Sequence, residues 1–219
     1  MTTYSQGLAS LAARARTLRF FLWLFVGLSA IGIPYSLWQD YAYTETTVPT
    51  AVLQMITLGY GGASLVTLLG CVIVVPMWTY RAWANLHTLG LRGLRRSPGW
   101  AAGSFFVPIV GLFVPFLAMR ELFNRSTGED EDHANASAGD VTSWWTCWIA
   151  GNLIQGFVVL TALFNTNGLV FIVTPQIMTQ ALTVFGNLLM MGAGWFLIRT
   201  VGEITTAQSS AAGISETFA

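Results

Sequence analysis

From Val141 to Ile198 the chain carries no charged residue, and a second charge-free stretch runs from Thr46 to Tyr80. A helix that crosses a bilayer needs roughly 20 predominantly apolar residues. The first stretch therefore holds two crossings and the second holds one with length to spare, through tilt or a helix continuing past the membrane surface. A third uncharged run, Phe20 to Trp38, follows Arg14, Arg16 and Arg19. Basic residues before an apolar core also mark signal peptides, but this core is long for one, and Gly32, Ile33 and Pro34 give no convincing processing motif. It reads as a retained helix. With 54% hydrophobic and only 9% charged residues, against about a quarter charged in soluble domains, the expected fold is all-α: a polytopic transmembrane helical bundle.

One segment resists this reading. Ser97 to Met119 is uncharged and long enough to span, yet it contains Pro108 and Pro115, with Gly103 and Gly111 nearby. Proline removes a backbone donor and clashes with the preceding turn. Broken helices persist at membrane depth only where protein or water satisfies the freed backbone groups. The segment is thus either a kinked span or a hairpin that enters and returns.

Arginine placement arbitrates. All ten basic residues are arginine. If 97–119 does not cross and the N-terminus is cytoplasmic, Arg14, Arg16, Arg19, Arg81, Arg92, Arg95, Arg96, Arg120, Arg125 and Arg199 all fall inside. If it crosses, the last three move outside. Cytoplasmic loops carry the excess of positive residues, which favours four spans and a Pro-broken re-entrant or interfacial hairpin. The expected layout is a cytoplasmic segment 1–19 and one transmembrane domain over 20–204. Its spans lie near 20–38, 52–78, 144–163 and 176–198, the last two joined around Asn165–Thr174, with a hairpin near 97–119 and an acidic linker near 126–140. A flexible cytoplasmic tail, 205–219, ends the chain.

The densest motif is W-T-Y-R-A-W-A-N-L-H-T-L-G, Trp78 to Gly90. At helical spacing Trp78, Arg81, Asn85 and Thr88 share a face. An arginine one turn from an asparagine at the end of a membrane helix suits satisfying broken backbone or holding a lipid phosphate, or it is an ordinary interfacial anchor. Around the hairpin, Pro108, Pro115, Arg120 and Glu121 stand out, and Glu121 is expected to pair with Arg81 while Asn85 caps freed carbonyls. Within the last two spans the amides of Asn152 and Asn187 are nearly equidistant from the intervening loop and are expected to meet, with Gln155 extending the polar spot. The alternative is that each bonds its own helix four residues back. Small residues recur at Gly59, Ala63, Thr67 and Cys71, a stripe that permits close helix packing.

No catalytic, metal or cofactor constellation is visible. His87 and His133 are the two histidines, too few for zinc or paired haem ligation. Cys71 and Cys147 lie apart in apolar stretches and read as small buried residues. Nothing matches a nucleophile elbow, a zinc-protease helix or a phosphate loop. A net charge of zero gives no basic surface for nucleic acid.

The Trp78–Gly90 block and the run S-P-G-W-A-A-G-S-F-F-V-P-I-V-G-L-F-V-P-F-L-A-M-R-E-L-F resemble a bacterial membrane family known as domain of unknown function 4328. So does the later I-R-T-V-G-E-I-T-T-A-Q. The resemblance covers about Gln54 to Gln208. It rests on Trp78, Arg81, Asn85, Leu89, Gly90, Pro98, Pro108, Pro115, Arg120 and Glu121; Phe123 departs from it, where the family often has tryptophan. It implies a multi-pass bacterial membrane protein and no particular activity.

The expected function is that of a non-enzymatic component of the bacterial cytoplasmic membrane, both termini inside. Its partners would be the lipid bilayer and a membrane protein or a second copy of the chain. The rival is a small transporter or channel subunit with the Pro108–Pro115 hairpin lining its path. No ionisable residue lies deep in any span, which weakens ion-coupled transport.

Overall fold

The computed structural model describes residues 4–45, 48–166 and 175–217. Six α-helices account for most of them: α1 (Tyr4–Glu45), α2 (Thr50–Thr88), α3 (Pro98–Gly103), α4 (Val114–Ser126), α5 (Gly139–Thr166) and α6 (Gln176–Thr217). No strand occurs among the described residues. α1, α2, α5 and α6 are each long and apolar enough to cross a membrane. The fold is an all-α polytopic helical bundle.

These helices outrun the apolar stretches that define them. α1 begins at Tyr4 rather than near residue 20 because its basic segment is amphipathic: Leu11, Ala15, Leu18 and Leu22 are all buried. That spacing puts them on one helical stripe, with the arginines off it. α2 continues ten residues past Trp78, burying Ala82, Trp83 and Leu86. α6 continues past Ile198 through Thr217 with Val201, Ile204 and Gln208 buried, so residues 205–217 are helical where a flexible tail is expected. The densest core therefore sits at the arginine-bearing end of the bundle. Toward the other end, Leu58, Leu65, Leu153, Val159 and Ile177 are more than half exposed, the pattern of helices whose neighbours there are lipid.

Packing places the helices in the order α2, α1, α6, α5. Successive contacts are antiparallel: Tyr60 bonds the Leu28 carbonyl, Gly70 abuts Phe21, and Arg14 bonds the Met77 carbonyl. α6 runs antiparallel to both its neighbours, with Trp23 against Trp195 on one side and Cys147 against Gly192 on the other. α2 and α5, the outer members, form no packed interface. The gap between them is bridged at one end by α3 and α4.

Of the small-residue stripe on α2, Thr67 and Cys71 are buried, while Gly59 and Ala63 face outward. The joining loop expected around Asn165–Thr174 lies almost wholly outside the described residues. The acidic segment 126–140 is more ordered than a linker. Nδ2 of Asn124 lies within 3.3 Å of the carbonyls of His133, Ala134 and Ala136, and Ala134 and Ala138 are buried. One side-chain amide thus gathers a loop that composition alone marks as free.

Candidate functional site

The hairpin begins with local signals. Ser97 accepts a hydrogen bond from the Trp100 amide and Pro98 occupies the first turn of α3. Pro115 likewise lies in the first turn of α4. Both prolines start helices, where a missing N–H leaves nothing unpaired; only Pro108 sits at the break. There Val110 donates to the Pro108 carbonyl at 2.7 Å across Ile109, whose φ is +65°, a three-residue γ-turn. The amides of Val107, Gly111, Leu112 and Phe113 all donate within the same turn. A tip that satisfies its own backbone can be placed in an apolar medium. A Cβ at Gly111 would stand 3.2 Å from the Ser104 carbonyl oxygen, so glycine lets the two arms close.

The base of the hairpin is tied by charge. Arg96 forms an ion pair with Glu121, whose other carboxylate oxygen accepts the Arg95 amide at 2.8 Å. Glu121 is fully buried. Entry and exit of the segment thus lie side by side. The expected Arg81–Glu121 pair is not formed. Glu121 lies about two turns along α4 and meets the residue leading into the hairpin.

Arg81 has other partners. Its Nε donates to Asn85 Oδ1 at 3.0 Å and to the Gly7 carbonyl at 3.2 Å. Asn85 is fully buried and donates to Gln208 Oε1; Gln208 in turn donates to the Ala82 carbonyl and to Ser126. This node joins α1, α2, α4 and α6. Asn85 does not cap freed carbonyls, the role expected of it, because it is consumed by the side chains of Arg81 and Gln208. A Cβ at Gly7 would collide with Arg81 and Asn85. Trp78 is fully buried rather than interfacial.

At depth, Asn152 donates to the Trp148 carbonyl of its own helix at 2.8 Å, the self-bonded alternative. Asn187 instead accepts from Gln155 at 3.4 Å. Asn152 and Asn187 lie at similar depth, but helix rotation turns Gln155 rather than Asn152 toward α6. Cys147, Gly151 and Gln155, spaced by four, face α6, and Asn152 is one residue, about 100°, off that line.

Beneath the hairpin tip, in the gap between α2 and α5, lies an apolar cavity of about 150 Å³. Phe105 and Gly111 cover it, Cys71 and Val75 line one wall, and Trp144, Trp145 and Trp148 line the other. Relative to Arg81, Cys71 and Val75 lie about two to three turns farther into the apolar part of α2, so the tip reaches well into the apolar zone. An apolar cavity of about this size stays dry and accepts small apolar groups. Among the described residues no cluster of His, Cys, Asp and Glu is positioned to hold a metal ion.

Residues 43–206 match the family model described as Domain of unknown function (DUF4328). The chain belongs to this family. Neither a curated protein nor a solved structure matches it. In this DUF4328 member Arg81 and Asn85 lie in the buried node, Trp78 in the apolar core, Pro98, Pro108 and Pro115 in the hairpin, and Arg120 and Glu121 on α4. Leu89 and Gly90 end α2, with Gly90 at φ +69° donating to the His87 carbonyl. Phe123, where the family pattern often has tryptophan, packs partly buried against the core. Gln208, Gly7 and Asn124 escape sequence reasoning; only their helical register with buried neighbours marks the first two. The tryptophan cluster at 144–148 was in plain view as composition, and its role depends on a gap that sequence does not show.

Proposed function

We propose that this protein is a non-enzymatic, lipid-binding component of the bacterial cytoplasmic membrane, and that the cleft between α2 and α5 takes an apolar chain from the bilayer. The observation that carries this reading is the apolar, tryptophan-lined cavity that lies where two long apolar helices fail to meet. Water gains nothing there, whereas an acyl chain replaces missing dispersion contacts. Both termini are assigned to the cytoplasm, since every arginine belongs to the end of the bundle that carries the hairpin base.

A transporter would also use a hairpin-lined path, but such paths place half-helix ends and charged groups at the substrate, and this lining holds no Asp, Glu, His, Lys or Arg. The test uses the purified protein in nanodiscs containing phospholipid with a diazirine in its acyl chain. Photolabel is expected on 71–76 and 144–148 and is expected to fall when Ala193→Phe fills the cavity. Label confined to outward positions such as Leu65 and Val159, unchanged by that substitution, would refute the reading.

A further inference from the structure

Five arginines are partly buried: Arg14, Arg81, Arg96, Arg120 and Arg125. Four have protein acceptors, namely the Met77 carbonyl, the Gly7 carbonyl with Asn85, Glu121, and the carbonyls of Arg92 and Glu129. Arg120 has none among the described residues, and its Nε is shut away from solvent without a partner. A guanidinium has five N–H donors and no means of shedding its charge. Desolvating it without an acceptor is unfavourable. The neighbouring carboxylate, Glu121, is already committed to Arg96 and the Arg95 amide. Asp140, at the start of α5, is engaged by Arg199 at 2.9 Å.

What holds Arg120 in place is aromatic. Its guanidinium carbon lies 5.3 Å from the Phe116 ring centroid. Phe116 stacks on Trp145 with centroids 6.4 Å apart and planes 19° from parallel. Trp145 lines the cleft cavity. A relay of cation, ring and ring therefore connects an acceptor-free arginine to the mouth of an apolar cavity. A cation–π contact leaves the guanidinium edge free to donate.

We infer that Arg120 binds the phosphodiester of a membrane glycerophospholipid whose acyl chain occupies the α2/α5 cleft. This rests on the cleft reading above and adds the headgroup to it. Planar guanidinium groups pair with phosphate through two parallel hydrogen bonds, which is the acceptor Arg120 lacks. The cavity supplies the apolar half of the same molecule. A soluble phosphate would satisfy only the arginine and leave the cleft unexplained.

The test is lipid retention by the intact protein, measured by native mass spectrometry after titration with phosphatidylglycerol or with diacylglycerol of the same chains. The wild type is expected to retain phosphatidylglycerol about tenfold more strongly. Arg120→Gln is expected to bring it down to the diacylglycerol level, and Arg120→Lys to restore part of the difference. Since the lysine variant keeps the charge, it decides the matter should the glutamine variant fail to fold. Equal retention of the two lipids by the wild type, or a preference untouched by both substitutions, would overturn the role of Arg120 while leaving the cleft in place. Retention of both lipids undiminished by Ala193→Phe would instead remove the cleft reading. Displacement of phosphatidylglycerol by inorganic phosphate alone would show a soluble-anion site and overturn the lipid assignment.

Discussion

The guanidinium of Arg96 is ion-paired with the carboxylate of Glu121, 25 residues further along the chain, and the two bracket the hairpin between them. The Glu121 side chain is fully enclosed and Arg96 nearly so, at 16% exposure. Removing one member of such a pair strands a buried charge, which costs about 3–5 kcal/mol. Arg96→Ala is expected to lower the thermal transition in detergent, followed by tryptophan fluorescence, well below that of the wild type. Glu121→Gln is expected to do less harm, since its amide oxygen still accepts from the Arg95 amide and no carboxylate is left unpaired. Wild-type unfolding of Arg96→Ala would show that the pair does not hold the hairpin.

Gln208 joins Asn85, the Ala82 carbonyl and Ser126 in one buried node. Gln208→Leu is expected to destabilise by about 1–3 kcal/mol, because Asn85 and a backbone carbonyl lose their partner where water does not replace it. Truncation of the chain before residue 205 is expected to be at least as harmful, though the local sequence looks like a disposable tail. A truncated protein with an unchanged thermal transition would contradict this.

The amides within the last two helices separate by position. Gln155 and Asn187 are expected to show a coupling of about 0.6–1.7 kcal/mol in a double-mutant cycle with leucine. Asn152→Leu is expected to fall within about 0.5 kcal/mol of wild type, being exposed and bonded only to its own helix. Coupling between Asn152 and Asn187 in place of the Gln155 coupling would reverse the assigned rotation.

Ile109 holds a φ of +65° at the hairpin tip while 75% exposed. A β-branched residue is strained there by about 1–2 kcal/mol, so Ile109→Gly is expected to stabilise or leave stability unchanged. Gly111→Ala is expected to destabilise, because its Cβ meets backbone oxygens of Ser104 and Phe105 that have little freedom to yield. Calorimetric transitions of the two variants shifting in the opposite senses would show the turn to be built differently.

Helix number and kind were legible because charge-free stretches and arginine placement report on single segments. Helix ends were not, for a physical reason. Beyond Trp78 and Ile198 the helices are polar enough to look finished, yet the stripes through Ala82 and Leu86 and through Val201 and Ile204 bury them against one another. Partner choice was the least legible feature. Arg81 and Glu121 both sit near the end of an apolar segment, but which arginine reaches Glu121 depends on how the hairpin folds back. Likewise, Gln155 rather than Asn152 meets Asn187 because of a rotation of about 100° that sequence distance does not contain.

The proposed return of the hairpin to its own side is the feature on which the cleft reading and the lipid assignment both depend. It is tested by single cysteines in a variant lacking Cys71 and Cys147. Arg92→Cys lies before the hairpin, Thr127→Cys after it, and Ile177→Cys at the far end of α6; all three positions are exposed. In sealed inside-out membrane vesicles, a membrane-impermeant maleimide is expected to label Arg92→Cys and Thr127→Cys alike and to spare Ile177→Cys until the vesicles are opened. Labelling of Arg92→Cys with protection of Thr127→Cys would mean that 97–119 crosses the membrane, and the account would fall with it.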